Sequence, residues 1–245
     1  MSRRNYEQVC ALAYALDVVG ERWTLMIARE LLFGPRRYSD LLRELPGLGT
    51  NLLAQRLKDL EGAGLIEQHR LPPPAASSVY ELSATGRAGL QPIIRALADL
   101  GVTYLQYPPP SGHFVPASST MGALATFFQR ERAFNFGSRV EFHSGSDVFH
   151  CAIEDGMMSE LGFGMLERAD LVLEGSTEIF MGLIVGYETV AAAVDNGQLT
   201  IARGDRARAE TFFALFESPH HPMGQGVEGA NAPSINLRSG PIRGE

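Results

Sequence analysis

Asn51, Gln55 and Lys58 stand at steps of four and three residues, so on a helix of about 3.6 residues per turn they share one face. Amide side chains pair bidentately with adenine edges and a lysine reaches guanine or phosphate, each good base contact contributing roughly 1 to 3 kcal/mol of discrimination. The other face carries Leu53, Leu57 and Leu60, the stripe that would fix such a helix to a core. Arg56 lies at the margin of that stripe and suits a phosphate or a neighbouring acid. Thr50 is placed to cap the N-terminus. An isolated polar helix face is most often merely solvated, so the flanking elements decide its meaning.

Ahead of this helix, Tyr38 to Leu45 reads as a short helix with Ser39 near its start, Arg37 just before it and Pro46-Gly47 after its end. Behind it, Leu65–Arg70 and Ser78–Leu82 read as strands joined by Leu71–Ser77, whose three consecutive prolines cannot donate ladder hydrogen bonds. That order is a helix-turn-helix followed by a wing. The partner it points to is double-stranded DNA, touched by Arg37, Ser39, Thr50, Asn51, Gln55, Arg56 and Lys58, with Arg70 and Ser78 reaching from the root of the wing. Upstream, Val9, Leu12, Ala13, Leu16 and Val19 mark one buried helix face, and a second helix from near Arg22 to the Gly34-Pro35 break holds Trp23 on its apolar side. Downstream, Ser83 or Thr85 caps a helix running to about Gln106. Its Leu90, Ile93, Ile94, Leu97, Leu100, Tyr104 and Leu105 form a broad apolar stripe, either core or a dimer seam, and Pro92 is expected to kink it.

An N-terminal Cys10, the run Gly20-x-x-Trp23-Thr24, then Arg37-x-Ser39-Asp40-Leu41, then Leu53-x-x-Arg56-Leu57-x-x-Leu60-Glu61-x-x-Gly64-Leu65-Ile66 occur in that order. Over about residues 8–107 this resembles the HxlR-type winged helix-turn-helix transcription regulators. The resemblance implies a homodimer with the Asn51–Lys58 helix as reading head. It implies a seam formed by the last helix with Val9–Val19, and a pseudo-palindromic operator matching the two-fold axis. It also makes Cys10 a possible redox residue, since part of that family senses oxidants there. Arg3 and Arg4 beside it favour the thiolate, while packing is the plainer reading of a Cys on an apolar helix.

The net charge of −7 divides unevenly. Residues 1–107 hold 12 Lys and Arg against 11 Asp and Glu, while residues 108–245 hold 9 against 17. A near-neutral first half predicts weak non-specific DNA binding and so a need for two copies, and the acidic half predicts a different partner. Cys10 and Cys151 are the two cysteines, with no Cys/His spacing for structural zinc, so no metal ligand set and no cofactor are expected. No apolar run approaches the roughly 18 to 20 residues of a membrane span, and the N-terminus lacks a signal-peptide core. A cytoplasmic protein without membrane association is expected.

Tyr107-Pro108-Pro109-Pro110-Ser111-Gly112 is the clearest boundary, read as an extended spacer. It divides the chain into a winged helix-turn-helix domain (1–107), a linker (108–117), a second domain (118–217) and an irregular tail (218–245). In the second domain, a helix is expected over Met121–Ala133, strands over 139–143 and 147–153 around a Ser144-Gly145-Ser146 turn, and another strand over 169–174. Helices over 176–185 and 189–194, a strand over 198–203 and a helix over 206–216 complete an α+β pattern. From ADLVLEGSTEIFMGL to GDRARAETFFALF, over about residues 137–217, the chain resembles the sterol-carrier-protein-like domain. That implies a mixed, five-stranded sheet covered by helices around an apolar tunnel for lipid-like molecules. The many Phe and Met residues of this half suit either an adaptable pocket or a plain core, and Phe128, Phe142, Phe149, Met181, Ile184 and Tyr187 are the candidates to face a small hydrophobic effector. His143 and His150 have no thiol or carboxylate spaced for catalysis, so they read as structural and the chain as not an enzyme. Gly224, Gly226 and Gly229 match a dinucleotide fingerprint in letters alone, with no strand before them or helix after.

Overall fold

A computed structural model of the protein describes residues 5–71, 77–105 and 107–218. Arg3, Arg4, the three prolines of the wing tip, the paired His220-His221 and the glycines at 224, 226 and 229 lie outside the described residues. The first half runs α1 (Ala11–Val19), α2 (Thr24–Glu30), β1 (Arg36–Arg37), α3 (Tyr38–Glu44), α4 (Thr50–Gly62), β2 (Ile66–Arg70), β3 (Ser78–Leu82) and α5 (Ala84–Gly101), which continues into a 3-10 turn at Val102–Tyr104. β1, β3 and β2 form an antiparallel sheet in that order. Ile27, Leu31, Leu41, Leu45, Leu53, Leu57, Leu60 and Ile66 fill the core beneath it.

Local chemistry explains most boundaries. Ser83 caps α5: its side chain accepts from the Gly86 N–H at 2.9 Å, and its hydroxyl donates to the Gly64 carbonyl at 2.7 Å. The first turn of α5 lies so close to the chain entering β2 that a Cβ on Gly86 would stand 1.8 Å from the Leu65 carbonyl oxygen. Thr50 is not a cap. Gly49 takes the extended conformation at that position and Thr50 is already helical, so the expected hydroxyl cap is absent. Trp23 has φ 78°, in the left-handed region that turns the chain between α1 and α2, and its half-buried ring packs against the core. On α1 only Ala13 and Val19 are buried. Leu12, expected inward, is 66% exposed because none of the described residues covers that side.

The second half holds α6 (Ala117–Phe127), β4 (Ser138–Ser144), β5 (Asp147–Glu154), β6 (Met157–Phe163), β7 (Leu171–Gly175), α7 (Thr177–Ile184), α8 (Val190–Asp195), β8 (Leu199–Arg203) and α9 (Arg206–Phe213). The sheet is five-stranded and mixed, ordered β6-β5-β4-β7-β8, with β4 and β7 parallel and the other pairs antiparallel. One face, carrying Val140, Phe142, Phe149, Cys151, Leu171 and Leu173, is buried together with apolar residues of α6, α7, α8 and α9. The fifth strand, β6, was not expected at Met157–Phe163. It is an edge strand with no fully buried residue and shows no apolar alternation.

Two helices are shorter than their sequence suggests, for one reason. Phe128 leaves α6 for an extended conformation and bridges to Phe216. The Gln129 N–H donates to the Leu215 carbonyl at 2.8 Å and the Glu217 N–H to the Phe127 carbonyl at 2.9 Å. Pairing across 88 residues therefore ends both α6 and α9, overriding local helix propensity.

The proline segment is tied down rather than spanning open space. The Tyr107 hydroxyl donates to the Glu178 carbonyl at 2.6 Å, and the Thr177 hydroxyl donates to the Val115 carbonyl at 2.6 Å. Phe33 and Val102 from the first half pack against the core of the second. The Arg36 guanidinium lies 3.8 Å over the Phe163 ring.

Candidate nucleic-acid interface

α3 and α4 are joined by a turn that one hydrogen bond pins: the Tyr38 hydroxyl donates to the Thr50 carbonyl at 2.6 Å. Asp40 accepts from the Arg37 N–H at 3.2 Å, occupying a donor at the start of α3. With Leu53, Leu57 and Leu60 turned into the core, α4 presents Asn51, Gln55 and Lys58 to solvent. Arg37, Ser39 and Thr50 are exposed beside them. Gln55 Nε2 donates to Asp59 Oδ1 at 2.9 Å, a bond on the helix surface that a base edge can replace.

Arg56 is placed differently from its neighbours. Its Nη2 meets Glu21 Oε2 at 2.8 Å and its Nη1 meets Asp59 Oδ2 at 3.3 Å, so of the two partners its position allowed, it takes the acids. It ties α4 to the turn before α2. At the wing, β2 and β3 pair from Ile66↔Leu82 to Arg70↔Ser78, which leaves Arg70 and Ser78 at the end nearest the tip. Gln68 Nε2 donates to the Tyr80 hydroxyl at 3.2 Å. Burial, with Glu61 and Tyr38 close by, pushes the Tyr80 hydroxyl's pKa up.

The same strand pairing produces a group that sequence spacing passed over. Glu67 and His69 share a face of β2, and Glu81 stands opposite Glu67 on β3. Two of these residues are obvious neighbours at i and i+2. The third joins them only through strand register.

Cys10 is exposed, at the position just before α1, whereas Cys151 is buried in the second core. Burial pushes the Cys151 thiol's pKa up.

Of the candidate effector residues, Phe142, Phe149 and Ile184 are fully or almost fully buried, while Phe128 and Met181 are partly buried and Tyr187 is 46% exposed. Phe142 and Phe149 stack with centroids 4.9 Å apart, and Phe180 meets Phe142 edge-on at 5.2 Å. A run of rings leads outward: Phe142 to Phe212 at 5.9 Å, Phe212 to Phe216 at 5.1 Å, Phe216 to Phe128 at 5.9 Å. At the outer end Phe128, with Ala125, Met158, Ser159, Glu160 and Leu161, lines a cleft of about 310 Å3 against the β6 edge. Tyr187 stacks edge-on against Tyr107 at 4.7 Å.

The histidines of this domain are held by partners on the polar face of the sheet. His143 Nε2 stands 2.5 Å from Glu141 Oε1, and His150 lies 3.2 Å from Glu160 through Nε2 and 2.8 Å from the Gly164 carbonyl through Nδ1. Although burial opposes its charge, hydrogen bonds from His143 and the Leu166 N–H hold the Glu141 carboxyl below the usual range.

The sequence profile of the HxlR-like helix-turn-helix family matches residues 18–108. An HTH-type transcriptional regulator of Synechocystis, sll1512, is 35% identical over 98 residues, which is 40% of this chain and 72% of that protein. YvaP of Bacillus subtilis, also of HTH type, is 33% identical over 91 residues, 37% of this chain and 83% of its own. Among solved structures, the reduced form of the transcriptional regulator YodB from B. subtilis superposes with a TM-score of 0.36 at 27% identity, covering 40% of this chain and 97% of that one. The matched profile leaves the five-stranded domain outside it. By its first hundred or so residues, the chain belongs to the HxlR-like helix-turn-helix family.

Proposed function

We propose that this protein is a homodimeric, sequence-specific DNA-binding transcriptional regulator, acting as a repressor, whose C-terminal domain has a sterol-carrier-protein-like fold and takes a small hydrophobic effector. The observation that carries the DNA reading is the two-faced α4: three leucines anchor it while Asn51, Gln55 and Lys58 face outward beside a pinned α3 and a two-stranded wing. The HTH-type relatives support the same reading. Dimerisation is supported by apolar side chains that are exposed among the described residues: Leu12 at 66% exposure, Leu97 at 49% and Ile93 at 40%. Two copies also supply the second reading head that a near-neutral domain needs.

The effector reading is supported by the run of aromatic rings from the cleft at Phe128 to the stacked Phe142 and Phe149. An apolar molecule meets the domain at Phe128, with Met181 and Tyr187 on the α7 side of the core and Phe142, Phe149 and Ile184 as the interior. Such a ligand alters DNA affinity only to the extent that it favours one dimer geometry over another.

A mobility-shift titration against the protein's own promoter region tests this reading. The wild type binds one site in preference to bulk DNA, and Gln55→Ala weakens that preference by roughly 1 to 3 kcal/mol. Equal affinity of both proteins for every sequence sinks it.

A further inference from the structure

We propose that Glu67, His69 and Glu81 on the wing form a binding site for a divalent first-row transition cation of the zinc class. Register carries the argument. Glu67 and Glu81 are directly paired across the hairpin, and His69 is two residues along β2 on the same face. His69 Nε2 stands 2.8 Å from Glu81 Oε1 and 3.5 Å from Glu67 Oε2. One ligand atom from each of the three residues lies within 4.8 Å of the other two, the one such group among the described residues. Three donors each about 2.1 Å from one tetrahedral ion stand about 3.4 Å apart, so small side-chain rotations convert these separations into a coordination set.

The donor types narrow the ion. One imidazole nitrogen with two carboxylate oxygens suits zinc, cobalt or nickel, whereas calcium and magnesium take oxygen ligands. A fourth position stays open to water. The ladder holds the backbone of all three residues, so binding orders only side chains. Two carboxylates directly opposite each other are unfavourable as a bare pair, and a dication removes that repulsion.

Gln68, Arg70 and Ser78 occupy the other face of the hairpin, so the ion does not displace them. Its effect on DNA is through charge. Cancelling two negative charges on the wing raises affinity for phosphate, a consequence that rests on the DNA reading above, whereas the site itself does not.

The test is calorimetric titration of the chelator-treated full chain with Zn2+, run on the wild type, His69→Ala, Glu81→Gln and a His220→Ala/His221→Ala control for the tail histidines. One equivalent should bind to the wild type and the control, with affinity roughly 10- to 100-fold weaker, or more, in His69→Ala and Glu81→Gln. Circular dichroism and melting confirm that these exposed substitutions leave the fold intact. The proposal is overturned if Zn2+ does not bind, if His69→Ala binds as the wild type does, or if the tail control removes binding. Mobility shifts with and without Zn2+ then read the consequence. A gain in wild type that is absent in His69→Ala supports it, and equal affinities remove it while the titration still decides the site.

Discussion

Arg43 at the end of α3 and Asp147 at the start of β5 are 104 residues apart in sequence and 2.6 Å apart in space. The helix that precedes α4 is thereby joined to the five-stranded sheet of the second half. Neighbouring groups make the seam polar and buried. Ser118 donates to Glu30 at 2.7 Å, Arg29 also pairs with Glu30, and Arg43 Nε reaches Glu44 at 3.1 Å. Glu30 and Glu44 are buried, and each has one carboxylate oxygen with no hydrogen-bond partner among the described residues. Separating Arg43 from Asp147, or Ser118 from Glu30, removes a partner from this polar cluster and costs free energy.

The seam predicts a pH dependence. Burial, then the negative charge of Asp147, pushes the Glu44 carboxyl up to about 7. Its folded pKa exceeds its ordinary value of 4.5, so the folded state prefers the protonated acid. The stability this contributes is complete in acid and is lost as pH rises from about 4.5 through about 7. Glu44→Gln should flatten that part of the stability curve and, at pH 8, raise stability by about 1 to 3 kcal/mol. Asp147→Asn should move the loss to lower pH. Urea denaturation at several pH values measures both, and a Glu44→Gln curve parallel to wild type would refute the assignment.

Within α4, Asn51 and Gln55 are exposed, whereas Arg56 is held by Glu21 and Asp59. Asn51→Ala or Gln55→Ala should leave the melting temperature unchanged while relaxing sequence preference. Arg56→Ala should do the reverse, lowering stability by about 1 kcal/mol through loss of the Glu21 and Asp59 contacts. Thermal melts and competition binding on the same three proteins distinguish the roles. A stability loss in Gln55→Ala without altered binding would invert them.

Leu97→Glu places a charge on the uncovered stripe of α5, where the wild-type side chain is 49% exposed. It should change the assembly from dimer to monomer with the helical signal intact, since no core contact is removed. Light scattering after gel filtration reads the mass directly. A monomeric wild type, or a dimeric variant, argues against this seam.

The two thiols should differ in reactivity. Cys10 is exposed and Cys151 buried, so one equivalent should react with an aromatic disulfide reagent in the native state and a second only on unfolding. Cys10→Ser should abolish the native reaction. If that variant also leaves an oxidant response of DNA binding unchanged, Cys10 has no sensing role.

In the aromatic core, Phe142→Ala should cost about 3 to 5 kcal/mol, because the ring is fully buried against Phe149, Phe180 and Phe212. Phe128→Ala, at the cleft, should cost less and should weaken binding of an apolar fluorescent fatty-acid probe. Chemical denaturation and probe titration measure the two effects, and equal stability losses would contradict this placement.

The local elements were legible from the sequence because their causes are local. The leucine stripe of α4, the Pro46-Gly47 break and the Ser83 cap each involve residues within a turn or two of one another. The family follows from the same stretch, 18–108. Tertiary structure decided what depends on distant partners. The bridge between Phe128 and Phe216 shortened two helices, and β6 exists because β5 lends it a ladder rather than because of its own composition. Arg56 turned to Glu21, and Glu81 came opposite Glu67, through pairings that no spacing along the chain encodes. Above all, Glu30, Arg36 and Glu44 are buried where the two halves meet, a fate that no local pattern around them encodes. Whether a charge is hydrated or buried is set by what packs over it, and here the elements that do so come from beyond residue 110.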